Sequence, residues 1–306
     1  SDLYRRYSTY CRNYDGNQLF KIASGASDYD YNWTRVLMNQ VGGRMNGLSL
    51  HYYTVAGWSG SKGSATKFDN EDYYWTLGKC REIEDVLKRH IAIMDGFDPQ
   101  KNIALILDEW GTWWDEEPGT IRGHLYQQNT LRDAFVASLS FDIFHKYTER
   151  LKMANIAQIV NVLQSMILTK DDKMVLTPTY YVFKMYKVHQ NATFLPLEVN
   201  CEVIDVRDHR KLPLVSATAS RDKDGKVHIS LSNVDLKNEQ EISIHLSNIS
   251  AGQVQGEILT SANIADYNSF EQPDVVKPAP FKDAKISKGM LKVTLPPKSI
   301  VTLELL

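Results

Sequence analysis

Ile103-Ala104-Leu105-Ile106-Leu107-Asp108-Glu109-Trp110-Gly111 runs from five apolar residues straight into two acids, a tryptophan and a glycine. A continuous apolar run of this length suits a strand buried on both faces, as in a parallel sheet covered by helices. In such sheets, functional groups collect where the strands reach their C-terminal ends. The abrupt change at Asp108 therefore predicts a strand that leaves the core at a chemically active rim.

The flanking sequence repeats this plan. Upstream, Leu77, Cys80, Ile83, Leu87, Ile91 and Met94 fall on one helical stripe within 71–94. Before that lies a second strand, Met45 to Tyr53, which again turns polar and aromatic at its end. Phe20 to Gly25 reads as a short buried strand, and Leu3, Tyr7, Tyr10, Cys11 and Tyr14 mark one face of a helix over 3–14. The Gly/Ser/Lys stretch from Gly57 to Lys67 reads as a βα loop. Downstream, a long helix is predicted over 122–150 and a fourth strand over Ala157–Gln164. Thr177-Pro178 supplies an N-cap and N1 proline for a helix reaching His189. Right-handed crossovers would lay such strands parallel. Four of them make half of a (β/α)8 barrel.

After about Asn191 the periodicity changes. Val227/Ile229/Leu231, Ile242/Ile244/Leu246 and Val301/Leu303/Leu305 alternate with polar residues at period two, and Asp222 to Gly225 and Pro296-Pro297 supply turns. The fold class is thus α/β plus all-β. Residues 1–189 form the half-barrel, and 190–306 form an antiparallel, jelly-roll-like β-sandwich.

Bulk properties narrow the function. Of 306 residues, 35 are basic and 37 acidic, so the formal net charge is -2. No basic field invites nucleic acid or anionic lipid. No apolar run approaches the ~20 residues that span a bilayer. Cys11, Cys80 and Cys201 are too scattered for a disulfide framework or a metal site and read as free thiols; neither a metal nor an organic cofactor is expected.

Three strand ends carry chemistry. His51 and Tyr53, spaced i, i+2, point to the same side of their strand. Asp108 and Glu109 are followed closely by Trp110, Trp113 and Trp114, and the last strand carries Asn161 and Gln164. Aromatic faces cover the apolar side of a sugar ring, amides read its hydroxyls, and carboxylates serve as acid, base or nucleophile. Residue types alone leave room for a solvated acid pair at 108–109 and a structural role for His51.

Longer strings go further. Ser-Leu-His-Tyr-Tyr-Thr (49–54), Gly-Ser-Ala-Thr (63–66), Leu-Asp-Glu-Trp-Gly-Thr-Trp (107–113), Asn-Ile-Ala-Gln-Ile-Val-Asn-Val-Leu-Gln (155–164) and Leu-Thr-Pro-Thr-Tyr (176–180) stand in this order. Together with Leu-Pro-Pro-Lys-Ser (295–299), they resemble the α-L-arabinofuranosidases of glycoside hydrolase family 51 along essentially the whole chain. The resemblance implies a (β/α)8 barrel with a C-terminal β-sandwich and a configuration-retaining double displacement. It implies that Glu109 is the nucleophile, at the end of barrel strand seven. Tyr53, in the sixth strand's His-x-Tyr pattern, should hydrogen-bond that carboxylate, with His51 beside it. Trp113 should line the arabinose pocket. Gln164 is assigned the amide contact to sugar, with Gln158 close by.

One family feature is missing. The Gly-Asn-Glu motif that carries the acid/base at the end of strand four does not occur; Gly16-Asn17-Gln18 is the nearest string. The expectation is therefore a chain holding barrel strands five to eight, with the acid/base half upstream of residue 1, and inert alone. Its partners would be arabinose-containing oligo- or polysaccharide, together with the missing half or further copies of itself. Another retaining glycosidase, such as an endoglucanase or β-xylosidase, is the alternative enzyme; a sugar-binding or association fragment is the alternative of another kind. The compartment, cytoplasmic or periplasmic, is undetermined.

Overall fold

The computed structural model describes every residue of the chain except Asn248 and Ser250. It begins with α1 (Asp2–Tyr7), β1 (Ile22–Ser27), α2 (Tyr31–Val41) and β2 (Gly47–Thr54). Then follow α3 (Asn70–Arg81), α4 (Ile83–Phe97), β3 (Ala104–Thr112), α5 (Leu131–Phe144) and β4 (Leu151–Ile156). β1 to β4 form one parallel sheet in sequence order. The hairpin β5 (Ile167–Lys170) and β6 (Lys173–Leu176) leads into α6 (Pro178–Tyr186).

Local signals explain the helix starts. Asp30 accepts from Trp33 N ahead of α2, Asp69 from Asp72 N ahead of α3, and Thr177 from Tyr180 N with Pro178 at the first turn of α6. Gly25 is forced by packing: a Cβ there would lie 1.5 Å from Ser49 O on the adjacent strand.

Four expectations need correction. The helix over 3–14 stops at Tyr7, and Leu3, Tyr7, Tyr10 and Tyr14 are all exposed, because their apolar face meets no core in this chain. The stripe over 71–94 is two helices, broken at Glu82. The helix over 122–150 is confined to 131–144, because Asp133 at N3 reaches back to Thr130 N at 2.7 Å and fixes the start. The fourth strand is Leu151–Ile156, not 157–164. Residues after Ile156 turn back on themselves, with Asn161 and Leu163 at positive φ. Part of their apolar character is spent at the rim, where Ala157 and Leu163 pack on Tyr53 and Val55.

The remaining strands are β7 (Thr193–Phe194), β8 (Val203–Val206), β9 (Arg210–Pro213), β10 (Val215–Arg221), β11 (Val227–Asn233) and β12 (Gln240–His245). They are followed by β13 (Val254–Thr260), β14 (Ala279–Phe281), β15 (Ala284–Ser287), β16 (Met290–Leu295) and β17 (Ser299–Leu305). A six-stranded sheet, β14-β13-β17-β11-β10-β7, faces a three-stranded sheet, β12-β16-β15, and every pairing is antiparallel. Val227, Ile229, Leu231, Leu291, Val293, Val301 and Leu303 fill the space between them.

The polar face of β11 is not wet. Ser230 and Ser232 are buried against the helices, with Ser232 Oγ 3.0 Å from Ser138 Oγ on α5. That explains why α5 is buried nearly all round, its polar side chains included: it lies between the parallel sheet and the sandwich. The segment between β13 and β14 also crosses over. Asp266 O and Ile264 O accept from Leu131 N and Arg132 N, and Ile264 and Val276 join the core beneath the parallel sheet.

Candidate active site

A β-bulge makes the site. Leu50 pairs with Leu107, but His51 pairs with Glu109, so Asp108 is an extra residue on β3. Side chains alternate along a strand, and one inserted residue exchanges the two faces beyond it. Leu105 and Leu107 point into the helix-side core, and after the bulge Trp110 does so, among Phe141, Phe144 and Phe183. Glu109 is thereby turned to the opposite face, shared with His51 and Tyr53. Unbroken alternation would have buried it among leucines.

On that face Tyr53 Oη donates to Glu109 Oε2 at 2.8 Å. The His51 ring sits between the two acids, with Nε2 3.2 Å from Asp108 Oδ1 and Nδ1 3.4 Å from Glu109 Oε2. Burial, and next the hydrogen bond to Glu109, push the Tyr53 phenol far above its ordinary range. It therefore stays protonated and donates. The Glu109 side chain keeps 41% of its surface exposed, enough to meet a ligand.

Aromatic rings wall the carboxylate. The Tyr53 and Trp113 centroids are 5.1 Å apart, Trp58 and Trp113 5.6 Å, and Tyr53 and Trp58 6.3 Å, all edge to face. Trp58 rises from the loop after β2, and Lys62 Nζ stands 5.6 Å from the Trp113 ring centre. Buried bonds hold Trp113 by its neighbours. Asp133 Oδ1 accepts from Thr112 Oγ1 at 2.6 Å and from Trp114 Nε1 at 2.9 Å, while Gln127 Oε1 accepts from Trp114 N at 2.8 Å.

At the end of β1, Asp28 adds a third carboxylate. Burial pushes its carboxyl up, opposed by Lys79, by the Trp58 indole and by the Tyr53 backbone N–H. Among the described residues no cluster of His, Cys, Asp and Glu could hold a metal ion, and no helix is long and apolar enough to cross a membrane.

Residues 108–299 match the family described as the α-L-arabinofuranosidase C-terminal domain. An intracellular exo-α-L-arabinofuranosidase of Bacteroides ovatus is 75% identical over 305 residues, covering 100% of this chain and 59% of that protein. The crystal structure of the family 51 arabinofuranosidase from Xanthomonas axonopodis pv. citri superposes with a TM-score of 0.97 at 46% identity. It covers 100% of this chain and 62% of that one. The chain belongs to the family 51 α-L-arabinofuranosidases.

The Thermotoga maritima α-L-arabinofuranosidase shares the fold at a TM-score of 0.74 and 22% identity, over 93% of this chain and 57% of that one. The chain thus spans about 60% of the length of such relatives. Within this family 51 chain, His51, Tyr53, Glu109 and Trp113 converge on one rim, and Gln164 does not join them. Gln164 is 0% exposed, accepts from Thr112 N at 2.8 Å, and donates to Asp133 O at 2.7 Å and Thr179 Oγ1 at 3.1 Å. An amide so occupied braces the strand end and cannot reach a sugar. Gly111 accommodates it: its φ is +130°, and a Cβ there would meet Gln164 Oε1 at 3.0 Å. The exposed amide beyond β4 is Gln158. Asp28 and Trp58 escaped the sequence reading because neither stands in a recognisable string; only the strand end before Asp28 hinted at it.

Proposed function

We propose that the protein of which this chain is part is a retaining α-L-arabinofuranosidase, with Glu109 as nucleophile. The observation that carries the reading is the Tyr53–Glu109 hydrogen bond beside His51 at the C-terminal ends of adjacent parallel strands. A tyrosine hydrogen bond orients the carboxylate and leaves one oxygen free to attack. The edge-to-face wall of Tyr53, Trp58 and Trp113 suits the apolar side of a furanose ring. Gln158 is our candidate for the amide that reads sugar hydroxyls. The substrates would be terminal arabinofuranosyl groups of arabinan or arabinoxylan oligosaccharides. No metal or organic cofactor takes part in this scheme.

Double displacement requires two carboxyl groups roughly 5–5.5 Å apart, one of them an acid/base. Asp28 is engaged by the Trp58 indole and the Tyr53 backbone N–H, and Asp108 stands on the bulge beside His51 Nε2, so we assign the acid/base to a Gly-Asn-Glu segment preceding this sequence. Such a segment would also pair the open edges of β1 and β4 and cover Met153 on β4 together with Phe20, Ile159 and Val160 just outside the two strands, all of them exposed. The division near residue 190 then separates the second half of a catalytic barrel from its sandwich. The chain alone would be inert and prone to associate through those edges.

The test is hydrolysis by the full-length protein. Release of 4-nitrophenol from its α-L-arabinofuranoside, with the first-formed arabinose retaining the α configuration by NMR, supports the reading. Faster cleavage of β-linked glucan or xylan, or an inverted product, refutes it.

A further inference from the structure

Arg132 is the second residue of α5 and only 1% exposed. Its guanidinium lies between two rings, 3.6 Å from the centre of Phe68 and 3.7 Å from that of Trp114. One of its nitrogens, Nη2, donates to Ser64 O at 3.2 Å and to Ala65 O at 3.1 Å. Another, Nε, is buried without a partner. Burying a cation with an idle donor is costly, and an apolar chain of similar volume would fill the same slot without that cost. What an apolar residue could not do is grip two carbonyls of an irregular loop.

That loop, residues 55–69, joins β2 to α3 and carries Trp58 and Lys62. It is tied down twice. Asp115 takes Lys62 N at 2.8 Å, pairs with Ser61 Oγ, and donates its own N–H to Gly63 O at 2.9 Å. Arg132 holds the following two residues from beneath. The same guanidinium stacks on Trp114, the neighbour of Trp113, so one side chain touches both the loop that carries Trp58 and the segment that carries Trp113. The next residue, Asp133, receives Thr112 Oγ1 and Trp114 Nε1. The first turn of α5 is thus a common base for the Trp58 loop and the Trp113 segment.

We infer that Arg132 is a positioning residue that fixes how the Trp58 loop packs against Trp113, and so the shape of the aromatic wall that would meet the sugar. The planar, always-charged fork is suited to stacking and reaching carbonyls at once, and a lysine ammonium does only the second. Glu109 and Tyr53 hang from strands that Arg132 does not touch, so its effect falls on binding more than on chemistry. The inference rests on the arabinofuranosidase reading for its kinetic arm and on the structure alone for its dynamic arm.

The experiment compares wild type, Arg132→Met and Arg132→Lys in the full-length protein. In Arg132→Met, KM for the aryl arabinofuranoside rises by roughly three- to tenfold while kcat stays within about twofold, the signature of lost uniform binding. Amide hydrogen exchange quickens over 57–67 and is unchanged over 104–112. Arg132→Lys recovers part of both effects. Unchanged KM with unchanged loop exchange overturns the proposal, and so does faster exchange spread evenly through the chain, which would mark general destabilisation. If Arg132→Met fails to fold, Arg132→Lys still decides: wild-type loop exchange and KM would refute the clamp. If the wild type cleaves no arabinofuranoside, the functional reading fails, and loop exchange alone judges the clamp.

Discussion

The Tyr53 hydroxyl donates to Glu109 Oε2 across 2.8 Å, from one parallel strand to the next. The contact depends on the extra residue Asp108, which turns Glu109 toward Tyr53. Removing the hydroxyl should expose how much orientation it supplies. A hydrogen bond to a charged group contributes about 1.5–3 kcal/mol, so Tyr53→Phe in the full-length protein should lower kcat by roughly 10- to 100-fold with little change in KM. Steady-state kinetics check this; an unaltered kcat would mean that Glu109 is held by other groups.

Gln164 and Gln158 should behave in opposite ways. Gln164→Ala leaves Thr112 N and Asp133 O unpaired in the interior, at about 1–3 kcal/mol. The melting temperature should drop by several degrees, while residual enzyme keeps its KM. Gln158→Ala, at an exposed amide, should leave the melting temperature unchanged and raise KM. Thermal denaturation beside kinetics separates the two.

The seam between α5, α6 and the sandwich makes stability depend on pH. Asp142 accepts from Tyr186 Oη at 3.1 Å and from Ser216 Oγ at 2.6 Å, and burial pushes its carboxyl up to about 7. Burial pulls His145 down to about 4 and His189 to about 3, with His189 set between Ser220 and Ser230. The histidines' contribution is complete above about pH 6.5, their unfolded value, and is lost as pH falls toward 4. Asp142 works the other way, contributing fully below about pH 4 and losing its effect as pH rises toward 7. Between these limits unfolding takes up two protons on the histidines and releases one from Asp142, so stability falls on acidification. Asp142→Asn removes the opposing proton and should roughly double that slope. Melting temperatures from pH 4 to 7 for wild type and Asp142→Asn measure it; parallel curves would show that the seam does not titrate as described.

The sequence displays the parts of this molecule that repeat with a period. Apolar runs ending in polar groups mark β1, β2 and β3, and alternation marks β11, β12 and β17. It is silent where one tertiary fact overrides a local pattern. The 157–164 run is apolar partly because Ala157 and Leu163 pack on Tyr53, and it therefore imitates a strand. The β11 serines are polar yet buried because α5 and His189 offer them partners. At the site, His51, Tyr53, Glu109 and Trp113 stand in recognisable strings, whereas Gln164 shares its string with Gln158 and only burial tells the two amides apart. The bulge at Asp108 has no local signature, because it is a property of the register with β2.

The nucleophile assignment is tested most directly by Glu109→Ala in the full-length protein, assayed on an aryl α-L-arabinofuranoside with and without azide. Without a carboxylate at this position no glycosyl-enzyme forms. Turnover should vanish, and added azide should restore release of the aryl group with an arabinofuranosyl azide of inverted configuration as product. Near-normal turnover without azide, or rescue that yields no sugar azide, would contradict the assignment.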